Sequence, residues 1–261
     1  MRKLFVLSIL LVLFGCAGHQ PVIVDPLELP QISGTIPSDL VLDGQYLLAA
    51  DLQVPTGLIL TIKPGTTVYV QPSDSTKIDP EFLSRETEVL IRGTLNAVGT
   101  EAQPIVFKPI GEDRDAILWS GLQLVDSVGS ELAHLRIEQA EAGLLCLNSS
   151  PNVLSLQVQR SRYGILLQQQ SAPQIRDSLL TSGEAGLFCW DQSAPQVRNS
   201  RIVHLQEEGL YLGRDCRGAF SGNLIGENDR GVILPAGVVF DESNHVAGNR
   251  LDFVRYGQEA N

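Results

Sequence analysis

From Gly143 onward, short apolar and polar stretches alternate in a fixed order. A glycine followed by an apolar triplet occurs five times: Gly143-Leu144-Leu145-Cys146, Gly164-Ile165-Leu166-Leu167, Gly186-Leu187-Phe188-Cys189, Gly209-Leu210-Tyr211-Leu212 and Gly231-Val232-Ile233-Leu234. Successive glycines lie 21, 22, 23 and 22 residues apart. A second apolar stretch recurs within each unit, at Ile175 with Leu179-Leu180, Val197 with Ile202-Val203 and Phe220 with Leu224-Ile225. Whole phrases return too, Ser171-Ala172-Pro173-Gln174 reappearing as Ser193-Ala194-Pro195-Gln196. Self-similarity at such a period marks stacked repeats. A unit of this length holds about three short strands and small turns, with no room for a crossover helix. The pattern predicts an all-β solenoid with parallel coils of about 22 residues.

These repeats resemble the right-handed parallel β-helix, or pectin-lyase-like, family. Upstream, 46–70, 89–109 and 119–124 look like its first coils. The resemblance implies a single-stranded parallel β-helix over 40–257 and a tail at 258–261. The stretch "PSDSTKIDPEFLSRETE" at 72–88 breaks the strand pattern and reads as an inserted loop with a helical turn at 79–85.

Stacked strands lie about 4.8 Å apart, so like positions form columns. One column reads Ser178, Ser200, Asn223 and Asn249, residues suited to bonding the turn backbone along the stack. Cys146 and Cys189 share a column two coils apart, about 9.6 Å by strand spacing. A disulfide needs Cα atoms within about 7 Å. Cys216 is in column with neither, so three free thiols are expected.

The N-terminus adds a location. Arg2 and Lys3 precede the apolar run Leu4 to Phe14, too short to span a bilayer core as a helix. The layout is that of a secretory signal, 1–15. It ends in Leu13-Phe14-Gly15-Cys16, which resembles the lipobox of bacterial lipoproteins and implies cleavage before Cys16 and its acylation. Several acyl chains hold a protein stably on a membrane. Ala17, where an Asp would imply inner-membrane retention, points to the outer membrane, on its periplasmic face or the cell surface. Residues 16–39, with Pro21, Pro26, Pro30 and Pro37, read as a tether.

The chain carries 19 Lys+Arg against 30 Asp+Glu. Loss of Arg2 and Lys3 leaves 17 − 30 = −13. Such charge repels nucleic acid and disfavours bare anionic polysaccharide.

Strand side chains alternate between core and exterior. With the first and third residues after each glycine inward, Leu145, Leu166, Phe188, Trp190 and Tyr211 fall on an outward apolar stripe on the order of 20 Å long. Contiguous apolar patches mark interaction surfaces, and the aromatic centre suits an envelope protein or a glycan. A covered stripe is the alternative, with 240–261 or the 72–88 loop folded over it.

Chemistry has fewer candidates. The column two before each glycine reads Glu141, Arg162, Glu184, Glu207 and Asp229, with Glu208 beside it. Glu184 and Glu207 would project about 5 Å apart, near the spacing of retaining glycosidases, and the same cluster suits calcium. A solvated turn is the plainer reading. Catalytic branches of the family carry an Asp-Asp pair, which this chain lacks, or calcium carboxylates beside an Arg or Lys base that no residue here clearly matches. Some relatives of the fold deliver copper in the periplasm, which wants clustered soft donors. Here the only methionine is Met1, and His134, His204 and His245 show no ligand spacing. The sequence thus favours a lipid-anchored, non-catalytic surface for a protein or glycan partner, with no required cofactor. A carbohydrate-active enzyme and a structural spacer are the alternatives.

Overall fold

The computed structural model describes residues 25–73, 83–111, 113 and 116–257. They form a parallel β-solenoid of about ten coils. Eight short strands, from Leu40–Leu42 to Ala219–Ser221, stack into one face. The other two faces join into a single eighteen-stranded sheet. They join because Gln45–Val54 turns a corner: its first half pairs with Thr67–Val70 and its second with Glu88–Ile91. The strand Gln31–Thr35 pairs with both halves, with a register shift between Ile32 and Gly34. The stack thus starts at Gln31, upstream of the boundary at 40 and inside the stretch read as tether. Parallel pairing supplies partners for this backbone, which the proline count alone does not reveal.

The recurring glycine has a steric cause. A Cβ added at Gly164, Gly186 or Gly209 would lie 2.7, 2.2 or 2.6 Å from the carbonyl oxygen of the next coil's glycine. Closest approach of successive coils therefore excludes any side chain there. Beside it runs the inward column Leu144, Ile165, Leu187, Leu210 and Val232, fully buried.

Corners repeat as strictly as strands. His134, Ser155, Asp177 and Asn199 occupy one corner with φ of 51–52°, the left-handed region in which short polar side chains are enriched. His204 holds an equivalent place at another corner, with φ 59°, beside Glu227 at 3.0 Å. Next to the first corner a ladder satisfies the backbone. Ser178 Oγ accepts from the Leu156 N–H, Ser200 Oγ from Ser178, Asn223 Oδ1 from Ser200 and Asn244 Oδ1 from Asn223. The fourth rung is Asn244, correcting the expected Asn249. Asn249 lies 26 residues past Asn223, a coil plus one side, and belongs to a second ladder in which it accepts from Asn228, whose Oδ1 accepts from Leu205.

The last described coil ends the core. Phe253 continues the inward column beside Val232 and is 45% exposed. Arg255 pairs with Leu234, so an arginine stands in the column of Cys146, Leu167, Cys189 and Leu212. Its guanidinium donates to the Val238 carbonyl at 2.8 Å.

Candidate functional site

On one face of the joined sheet, Gln123, Leu145, Leu166, Phe188, Tyr211, Ile233 and Val254 are register partners in succession. Leu145, Leu166, Phe188 and Tyr211 are half-buried, and Ile233 is buried. The rings form a ladder along the axis: Phe188 stacks on Tyr211 at 5.1 Å and 12°, and Tyr211 on Tyr256 at 6.0 Å and 8°. Tyr163 and Trp190 meet Phe188 edge-on at 5.4 and 5.3 Å, and Trp190 also meets Tyr211 at 6.0 Å. Tyr256 reaches back two coils to donate its hydroxyl to the Leu212 carbonyl at 2.8 Å. Burial pushes the phenol of Tyr256 upward.

The possible covers divide differently. The described part of the C-terminal segment does not fold over the stripe, because Leu251–Tyr256 is itself the next strand beside Arg230–Pro235 and lends Tyr256 to the ladder. At the other end, 83–86 lies beside the face. The buried Glu88 carboxylate holds it there, accepting from the Leu83 and Ser84 backbone at 3.2 and 3.0 Å. Between that segment and the sheet lies a cleft of about 640 Å³ over Gln123, Ala142, Leu145 and Leu166. Most of the helical turn expected at 79–85, like Cys16 with the signal before it, falls outside the described residues.

Cys189 and Cys216 form a disulfide, with Cα atoms 5.6 Å apart, which corrects the expectation of three free thiols. Cys216 lies in no strand column. It sits in the turn after Leu212, which stacks on the turn after Cys189. The Gly213 N–H donates to the Cys189 carbonyl at 2.7 Å and the Arg217 N–H to that of Ser193 at 2.9 Å, so Cys216 stands one coil beyond Ser193 and reaches Cys189 at the end of the preceding strand. A Cβ at Gly213 would meet Trp190 Cβ at 3.0 Å and the Cys189 carbonyl oxygen at 3.1 Å, so the glycine permits the close approach of the two coils at Trp190. Cys146 is free and fully buried, and burial drives its thiol pKa strongly up.

The acidic column is a charge ladder. Arg162 bridges Glu141 and Glu184 at 3.2 and 3.0 Å. Arg230 pairs with the buried Glu208 at 2.6 Å and with Asp229 at 3.5 Å, and Arg250 also reaches Asp229. Glu207 is exposed on the coil after Glu184. A guanidinium on Glu184 engages one member of the expected carboxylate pair. No three acids, histidines or cysteines among the described residues form a metal-holding group, calcium included.

A family model described as periplasmic copper-binding protein (NosD) matches residues 74–257. The chain belongs to the NosD family. No curated protein and no solved structure matches it. The family's periplasmic description agrees with a place in the envelope. Its copper is another matter, because the described donors of this NosD-family chain do not fit that metal. Cys146 is sealed in the core, and Cys189 and Cys216 are bonded to each other. His134 and His204 hold separate corners, and His245 lies on an exposed strand.

Sequence reading missed Tyr163 and Tyr256 as members of the aromatic cluster. Tyr256 was detectable, since it stands 21 residues after Pro235 in the column of Trp190. It also missed Gln123, the polar member of an otherwise apolar column. Its repeat is too divergent to show the alignment.

Proposed function

We propose that this NosD-family protein is a non-catalytic envelope β-helix, held on the outer membrane through acylated Cys16, whose aromatic sheet face binds a protein partner. The reading rests on how the rings are used. Their flat faces are spent on one another, at 12° and 8°, leaving ring edges and aliphatic side chains rather than open platforms for sugars. Acidic groups flank the face, with Glu141, Glu184 and Glu207 along one border and Asp126, Asp191 and Asp215 along the other. Charge complementarity then favours a partner patch with an apolar centre and a Lys/Arg rim. Copper and catalysis form no part of this reading.

The test places a benzophenone amino acid at Trp190 in cells, with Val98, an exposed residue on another face, as control. A discrete protein adduct from position 190 alone, carrying a basic-rimmed apolar surface, is expected. No adduct, or equal labelling from 98, would overturn the reading. So would saturable glycan binding by the soluble chain from Ala17, read by Trp190 fluorescence.

A further inference from the structure

The cleft beside 83–86 holds an unexplained polar atom. Gln123 is 3% exposed, its amide nitrogen donates to Ser120 Oγ, and its Oε1 is buried with no hydrogen-bond partner. Buried polar atoms are nearly always paired, so an orphan just beneath the floor of an open cleft is a group that a ligand's donor would satisfy once the amide turns outward. The floor beside it is aliphatic, formed by Ala142, Leu145 and Leu166, and no aromatic ring among the described residues lines the cleft. Arg85 and Arg162 bring two guanidiniums to this opening of an acidic protein. Arg85 is exposed and in no ion pair among the described residues, whereas Arg162 is held by Glu141 and Glu184. Glu86 and Glu141 also line the cleft, and both are engaged in contacts of their own.

We infer that this cleft captures the C-terminal tail of a protein partner, one that ends in an aliphatic residue. With the Gln123 amide turned into the cleft, the tail's backbone N–H donates to its Oε1, the last side chain lies on Leu145 and Leu166, and the carboxylate pairs with Arg85, a fork geometry suited to carboxylates. A saccharide would meet the orphan oxygen equally well but would find no ring among the described lining residues to stack on and no use for the aliphatic floor. The inference deepens the protein-partner reading and rests on it for the class of ligand.

The test uses the mature chain in detergent and a fluorescein-labelled tetrapeptide ending in leucine, as free acid and as C-terminal amide. Anisotropy should show saturable binding of the acid and at least tenfold weaker binding of the amide. Gln123→Met and Arg85→Gln should each weaken the acid about tenfold with melting temperature unchanged. Failure of the acid to bind, equal binding of acid and amide, indifference to Gln123→Met, or capture of a neutral or uronic trisaccharide instead would each overturn the tail site. Crosslinking from position 190 reports the aromatic face separately: an adduct there without peptide binding leaves the face standing and removes the tail site.

Discussion

Replacing Asn223 with alanine tests whether the corner ladders hold the solenoid together. Asn223 is 1% exposed. Its Oδ1 accepts from the Ser200 N–H at 2.9 Å, and its Nδ2 donates to the Val197 carbonyl at 3.0 Å and to Asn244 Oδ1 at 2.8 Å. Alanine strands the Ser200 N–H and removes a donor from two carbonyl oxygens, in a corner water reaches poorly. Each unmet buried group costs about 1–3 kcal/mol, so Asn223→Ala should lose about 3–4 kcal/mol. The protein carries its own control, because Ser200 and Ser178 fill the same column one and two coils earlier. Their hydroxyls accept from the preceding rung and donate within their own coil. Asn223→Ser therefore keeps the acceptor, loses the reach to Val197, and should cost about 1 kcal/mol. Urea unfolding followed by circular dichroism gives both values. Hydrogen exchange should show lost protection near Ser200 but not at 94–98, since solenoid coupling runs between neighbours. An alanine variant within 1 kcal/mol of the parent, or a serine variant as damaged as alanine, would refute the argument.

Three further outcomes follow from the same geometry. A denatured, unreduced sample of the soluble chain from Ala17 should titrate one thiol, Cys146, and Cys216→Ala should cost about 3–4 kcal/mol from the lost loop constraint. Three titratable thiols would break the assigned pairing. Burial raises the Glu208 carboxyl above its ordinary value against the pull of Arg230, so the folded chain holds this proton more readily than the unfolded one. The stability it contributes is full below the ordinary Glu value and is lost as pH rises through the raised value of the folded state. Melting temperatures from pH 4 to 7 should show that fall reduced in Glu208→Gln, and an unchanged slope would contradict it. The same soluble chain, disulfide intact, should not retain Cu(I) against bathocuproine disulfonate, and one tightly held ion per chain would reveal a donor set the fold does not bring together.

Much of this architecture is legible from spacing alone. The glycine period located the strands, and alternation put Leu145, Leu166, Phe188 and Tyr211 in one outward column, because every coil repeats a single geometry. What strand spacing cannot carry is a contact between a turn and a strand end. Cys216 escaped because it stands in the turn column of Ser193, and strand columns do not show that this turn reaches Cys189 on the coil before. Glu184 looked free because the sequence does not show that Arg162 leans both ways along the ladder. Gln123 escaped because an orphan atom is defined by its surroundings, and those include a segment 37 residues away at Glu86.

Arg255 bears on how such a molecule behaves in a crowded compartment. A stack of strands offers its final rung as a template, and another strand landing there could extend it into a fibre. A newcomer on this end would have to bury a guanidinium already committed to Val238, or strip it from that carbonyl and leave both unmet. Inward-facing charge on an edge strand is a known guard against such growth. One arginine in a column of apolar residues thus makes this last described coil a poor seed, and the protein can be concentrated without further strands annealing onto that edge.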